Sequence, residues 1–305
     1  MNKFPVGQTI AFGYAFLVTE FNSIVRICWM PSLLIVAADY LLRRYTLFYM
    51  SESVGIGSAL AHFAVLTGAV SLWLFSSSIM AVGVTRLAMR MPLEHSKIYF
   101  PLGWMELHMF AANIRYILSM AILFILAALL SALVLSLAGA EFDQVGESTI
   151  AGPGIRLASL GVAIIFGYLA VSAVRLVFFL PAVVVTEDRG LRCAHSTTDG
   201  NVWRVLTVLV AISAPLILIS ALCDAVILVA TFGREALTGD PSAVFENMET
   251  AAAAQPLAWA LYRFAFNIAL MGIVPSTAAF AYMKLKEGAG DTPNVATPPP
   301  RGLGL

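Results

Sequence analysis

Between Arg204 and Arg234 the chain carries one charged residue, Asp224, and between Glu249 and Lys284 it carries one, Arg263. Lipid offers no hydrogen bonds to backbone amides and carbonyls, so a segment that crosses it must satisfy them internally, as a helix of about 20 largely apolar residues. Six such intervals occur, with limits near 24–42, 60–85, 116–140, 157–183, 205–233 and 257–283. Composition agrees, since 60% of the residues are hydrophobic and 12% charged, against roughly 45–50% and 25% in an ordinary soluble domain. The expected fold class is an all-α integral membrane protein with about six transmembrane helices.

Lys and Arg are retained on the cytoplasmic side of short loops. With the spans placed as above, twelve basic residues fall on the N-terminal side and four, Arg43, Arg44, Arg156 and Arg234, on the other, while eight acidic residues fall on each. Both termini are therefore expected in the cytoplasm. The opening segment MNKFPVGQTIAFGYAF has one lysine and no small-residue cleavage site, so it reads as retained rather than as a secretory signal. A formal net charge of zero gives no reason to expect nucleic acid as a partner.

An interval of 89 residues recurs. Asn22 to Arg26, Asn113 to Arg115 and Asn201 to Arg204 open the odd-numbered spans, with Arg26, Arg115 and Arg204 each 89 apart, and Arg86 and Pro92 recur 89 residues later as Arg175 and Pro181. The simplest organisation is three tandem hairpins, near 7–92, 93–185 and 186–286, in a single polytopic domain over 1–286. Residues 287–305, rich in Gly, Pro and Thr, are expected to form a disordered cytoplasmic tail. The segments GQTIAFGYAFLVTEF and KIYFPLGWMELHMF are too polar to span but rich in aromatic rings, so they read as amphipathic helices in the headgroup layer that lead into their hairpins.

Ionisable groups inside lipid are costly unless paired, which makes them the first candidates for function. Asp39 and His62 fall at matching depth in the first hairpin, and Asp224 and Arg263 in the third, so each pair is expected to bond across its hairpin. Two readings stay open: structural clasps, or a polar site in which His62 titrates. On the opposite side Arg26, Arg86, Arg115, Arg175 and Arg204 form a basic layer suited to anionic headgroups, which the positive-inside rule also produces without any ligand.

His95 and His108 with Glu94 and Glu106 match no compact metal motif, so no metal site and no cofactor are expected. Ser196, His195 and Asp199 lie too close in sequence for a triad; Thr198 or Asp199 is expected to cap the following helix. Cys28, Cys193 and Cys223 lack CxxC spacing and read as packing residues.

The stretch RLVFFLPAVVVTEDRGLRCAHSTTDGNVWR, from Arg175 to Arg204, resembles a pattern in bacterial multi-pass membrane proteins that include the membrane domain of glycerophosphodiester phosphodiesterases and related six-helix families. The fitting positions are Arg175, Pro181, Ala182, Glu187, Gly190, Ser196, Thr198, Gly200, Asn201, Trp203 and Arg204. Phosphodiesterase chemistry in that group belongs to a separate barrel domain, so the resemblance implies a membrane module and carries over no catalytic residue. The expectation from sequence is thus a non-enzymatic membrane module that organises lipid or a partner membrane protein. The alternative is a transporter or permease component for a small amphiphile, built on Asp39, His62, Asp224 and Arg263.

Overall fold

The computed structural model describes residues 5–49, 56–92, 99–101, 103–137, 160–167, 171–172, 174, 179–186, 198, 200–233, 248 and 250–288. These residues are helical almost throughout, with no strand among them. The helices are α1 (Val6–Thr19), α2 (Phe21–Tyr49), α3 (Ile56–Ala88), α4 (Trp104–Leu137), α5 (Phe179–Thr186), α6 (Val202–Phe232) and α7 (Pro256–Gly288), with a further helical stretch at 160–167. Five of them contain spans long and apolar enough to cross a bilayer: Phe21–Arg43, Leu60–Ala88, Trp104–Leu133, Val202–Phe232 and Pro256–Glu287. The chain is an all-α multi-helix membrane protein. The expected span at 157–183 falls on residues described only in part, as does most of the Arg175 to Arg204 stretch.

The helices differ in how much of their surface the protein covers. Half of the α7 span and 44% of the α3 span are buried inside the protein, against 11% of the α4 span. α3 packs against α2, α4, α5 and α7, and α7 packs against α1, α2, α3, α5 and α6. These two are the central helices. The outward leucines and isoleucines of α4, such as Leu118, Ile122, Leu126 and Leu130, suit hydrocarbon as they stand.

Burial is concentrated toward the end of the bundle where α1 sits. There α3 is buried continuously from Ser76 to Thr85, and its residues meet Ile24, Ile27 and Cys28 of α2 and Ile273 to Leu285 of α7 in one cluster. Side chains too small to fill space let these helices close up. A Cβ at Gly83 would stand 2.6 Å from Ile27 and 2.7 Å from the Tyr99 ring, and one at Gly272 would stand 2.8 Å from Leu17. Polar contacts fix the register: the Asn113 amide donates to Ser78 at 2.8 Å between α4 and α3, and the Ser32 hydroxyl to Met80 Sδ at 3.3 Å between α2 and α3.

Proline interrupts α2 at Pro31, α6 at Pro215 and α7 at Pro275. A membrane helix tolerates this where nearby hydroxyls occupy carbonyls around the break. Beside Pro275, Ser276 donates to Gly272 O and Thr277 to Ile273 O, both at 2.6 Å.

The two aromatic segments behave differently from a pair of free interfacial helices. The first is the separate helix α1, and it docks through Thr9, Gly13 and Phe16. Gly13 meets Thr277, Phe12 stacks on Phe280 at 4.2 Å, and the Tyr14 hydroxyl donates to Ala211 O at 3.1 Å. The second has no helix of its own, since Trp104 onward is the beginning of α4 in one unbroken run. α6 begins at Val202. Its N-cap is Asn201, which makes no side-chain cap bond and whose N–H donates to Thr198 O at 3.0 Å; Asp199 lies outside the described residues.

Candidate functional site: a charged cavity at the open end

Away from α1 the helices separate, and a cavity of about 270 Å³ lies between α2, α3 and α7. Its wall is Ile35, Val36, Ala38, Asp39 and Leu42 of α2, Ala69, Val70 and Trp73 of α3, and Arg263 and Asn267 of α7. Helical spacing explains the α7 contribution, because Trp259, Arg263 and Asn267 recur every fourth residue on one face. Val70 and Trp73 are among the exposed large hydrophobic residues, so the α3 wall of the cavity borders the surface that lipid covers.

The charges are arranged around Trp259. One carboxylate oxygen, Asp39 Oδ2, accepts from Arg43 Nε at 3.2 Å and from the Trp259 indole at 3.3 Å. The Arg43 guanidinium lies 4.5 Å from the centre of the Trp259 ring and that of Arg263 lies 4.2 Å from it. Two guanidiniums thus stand against the ring of one buried tryptophan. A guanidinium against an indole gains about 0.5–2 kcal/mol, more as water is removed. Arg263 also lies 5.4 Å from the Tyr262 ring.

Behind Arg263 the polar groups continue toward α6. The Tyr262 hydroxyl donates to Asp224 Oδ2 at 3.3 Å. With its proton so used, it accepts from Ser220, at 2.5 Å. Ser220 and Asp224 are one turn apart on α6, which presents both to α7.

The two pairs expected from sequence do not form. Asp39 is turned to Arg43 and to α7 rather than to His62, and His62 stacks on Tyr45, with ring centres 5.8 Å apart. The physical reason is that α2 packs on α7 as well as on α3, and an indole N–H with a guanidinium offers Asp39 two donors at once. Asp224 and Arg263 are separated by Tyr262, which bonds the first and faces the second. Arg263 has no carboxylate partner among the described residues, and its Nε is buried without a hydrogen bond, as is Asp224 Oδ1.

The basic residues of the other end do not share this cavity. Arg26 and Arg115 are exposed, Arg86 and Arg204 are half-buried, and Arg175 lies outside the described residues. Glu106 is buried and His108 is half-buried, and His108 Nδ1–H donates to Trp104 O at 3.0 Å. Glu94, His95, Cys193 and His195 lie outside the described residues. Among those described, no three His, Cys, Asp or Glu side chains converge as metal ligands would. Cys28 and Cys223 carry free thiols.

Nothing among protein-family models, curated proteins or solved structures matches this chain. The cavity must be judged on its chemistry alone. It offers apolar walls, one carboxylate already paired with Arg43, one guanidinium without a counter-charge, and an amide from Asn267. Sequence reasoning passed over Trp259, Tyr262, Arg43, Trp73 and Asn267. A tryptophan near a helix end resembles an ordinary interface anchor, and only its spacing of four from Arg263 hinted at a stacked pair.

Proposed function

We propose that this chain is a non-enzymatic membrane module that binds an amphiphile between α2, α3 and α7. The observation that supports this most strongly is the 270 Å³ cavity, in which Asp39, Arg263 and Asn267 share a wall with Ile35, Val36, Val70 and Trp73. An apolar enclosure with a few placed polar groups is how small-ligand sites are generally built. Exposed Val70 and Trp73 would let an acyl chain remain in the bilayer while its head is held inside. In the same reading the α1 end and both termini face the cytoplasm of a bacterial cell, because that side carries the excess of Lys and Arg. The cavity then opens toward the outer leaflet.

A binding module is favoured over a permease by the α1 end of the bundle. Passage across the membrane would require α3 to part from its neighbours, and Ser76 to Thr85 are buried continuously there. The test is purification from native membranes in mild detergent, followed by mass spectrometry of the extracted lipid, for the natural chain and for Ala69→Trp, whose indole would fill the cavity. The natural chain should retain an amphiphile that the variant loses. Equal retention, or none by either, would reject the proposal.

A further inference from the structure

The cavity wall carries one cation, Arg263, with no carboxylate partner among the described residues, beside the amide of Asn267, while its one carboxylate, Asp39, is already paired with Arg43; that imbalance bears on the ligand. We infer that the bound amphiphile carries an anionic head, a phosphate or carboxylate, received by Arg263 with Asn267. The inference rests on the amphiphile reading above and specifies its chemistry.

A cationic head is the poorer match. The Asp39 carboxylate is already paired with one guanidinium, its Oδ2 accepting from both Arg43 and Trp259, and a second cation would also meet the uncompensated Arg263. A quaternary ammonium seeks aromatic faces, and two guanidiniums already stand within 4.5 Å of the centre of the Trp259 ring. Asp224 stands behind Tyr262, bound by its hydroxyl, and is not part of the cavity wall.

An anionic head finds what it needs. Arg263 lines the cavity and has no carboxylate partner among the described residues. A guanidinium presents a planar fork of donors that matches two oxygens of a phosphate or carboxylate. Trp259 and Tyr262 hold that fork in place through their rings, and Asn267, one turn along α7, adds an amide on the same side. Size fits a head without its chains, since sites that enclose a whole drug-sized molecule are about 300–1,000 Å³ and this one is about 270 Å³.

The experiment uses the full-length protein in mild detergent and two photoreactive lipids with identical acyl chains, a phosphatidylglycerol and a phosphatidylcholine, each carrying a diazirine near the head. Peptide mass spectrometry then measures labelling at Val70 to Trp73 and Arg263 to Asn267. Losing one charge-assisted bond corresponds to roughly ten- to hundredfold in affinity. The phosphatidylglycerol should therefore label these peptides at least about tenfold more than the phosphatidylcholine. Arg263→Gln should remove the preference, Arg263→Lys should keep part of it, and Arg115→Gln at the other end should leave it intact. Equal labelling of the natural chain by both lipids would overturn the anionic assignment while leaving the amphiphile site standing, and this comparison does not depend on any variant folding. No labelling of these peptides by either lipid would overturn both. Millimolar inorganic phosphate is the third arm: complete competition would identify free phosphate as the source of the anion and overturn the lipid, and absence of competition supports it.

Discussion

Replacing Gly83 by alanine should destabilise the protein, whereas the same change at Gly68, four turns away on the same helix, should not. A Cβ at Gly83 would stand 2.6 Å from Ile27 Cγ2, 2.7 Å from Tyr99 Cε1 and 3.1 Å from Tyr99 Cζ. Carbon atoms rest at about 3.5–4.0 Å, so both neighbours would have to retreat by roughly 1 Å. Neither has room: Ile27 and Tyr99 are each 3% exposed. Overpacking of this kind costs about 1–3 kcal/mol, and the helix preference of Ala over Gly returns about 0.5–1 kcal/mol. The net expectation is a loss of about 1 kcal/mol at the middle of these ranges and up to about 2.5 kcal/mol. At Gly68 nothing lies within 4 Å of the added methyl, so only the propensity gain remains, at most about 1 kcal/mol. Reversible unfolding in mixed micelles of mild detergent and dodecyl sulfate, followed by tryptophan fluorescence, gives both values. Equal shifts for the two variants would refute the claim that α3 is packed tight at the α1 end and open at the other.

Three further outcomes follow from particular contacts. Asp39→Asn removes the charge that holds Arg43 and the Trp259 indole together, so Trp259 should become more accessible to acrylamide quenching and the fold should lose about 1 kcal/mol, part of the bond strength being screened at this half-exposed site; unchanged quenching would contradict the clamp. Ser78→Ala and Asn113→Ala break the same 2.8 Å bond, so a double-mutant cycle should give a coupling of about 0.6 kcal/mol and no more than about 1.7, the range for hydrogen bonds between membrane helices; additivity would show that this bond does not set the α3–α4 register. Arg90 ends α3 with φ 56°, and Met91 N–H donates to Arg86 O at 2.8 Å, the pattern in which glycine is the usual residue. Arg90→Gly should therefore raise stability by about 0.5–1 kcal/mol, measured by the same unfolding assay, and a loss would argue against that turn.

The spans were legible because a run without charge has few alternatives to a helix in lipid, and the limits at 205–233 and 257–283 differ from α6 and α7 by a few residues. The polar pairs were not legible. Sequence order makes Asp39 and His62 neighbours in a hairpin, but helices choose partners by packing, and α2 lies on α7 too. The link between Asp39 and Trp259 spans 220 positions, and no local pattern announces it. Ser76, Ser77 and Ser78 were a usable signal that went unread: three consecutive hydroxyls on a lipid-facing helix would be wasted, and all three are buried. The docking of α1 was hidden for a related reason, since Gly13 looks neutral until Thr277 is seen against it. Arg175 and most of the stretch that resembles the phosphodiesterase membrane domain remain an expectation from sequence.

The most direct test of the account is a structure of the full chain determined in lipid nanodiscs containing phosphatidylglycerol. The account predicts density in the cavity between α2, α3 and α7, with a head against Arg263 and Asn267 and a chain leaving past Val70 and Trp73. A cavity collapsed onto Arg263, with the guanidinium paired to a carboxylate of the protein and no lipid between the helices, would contradict it.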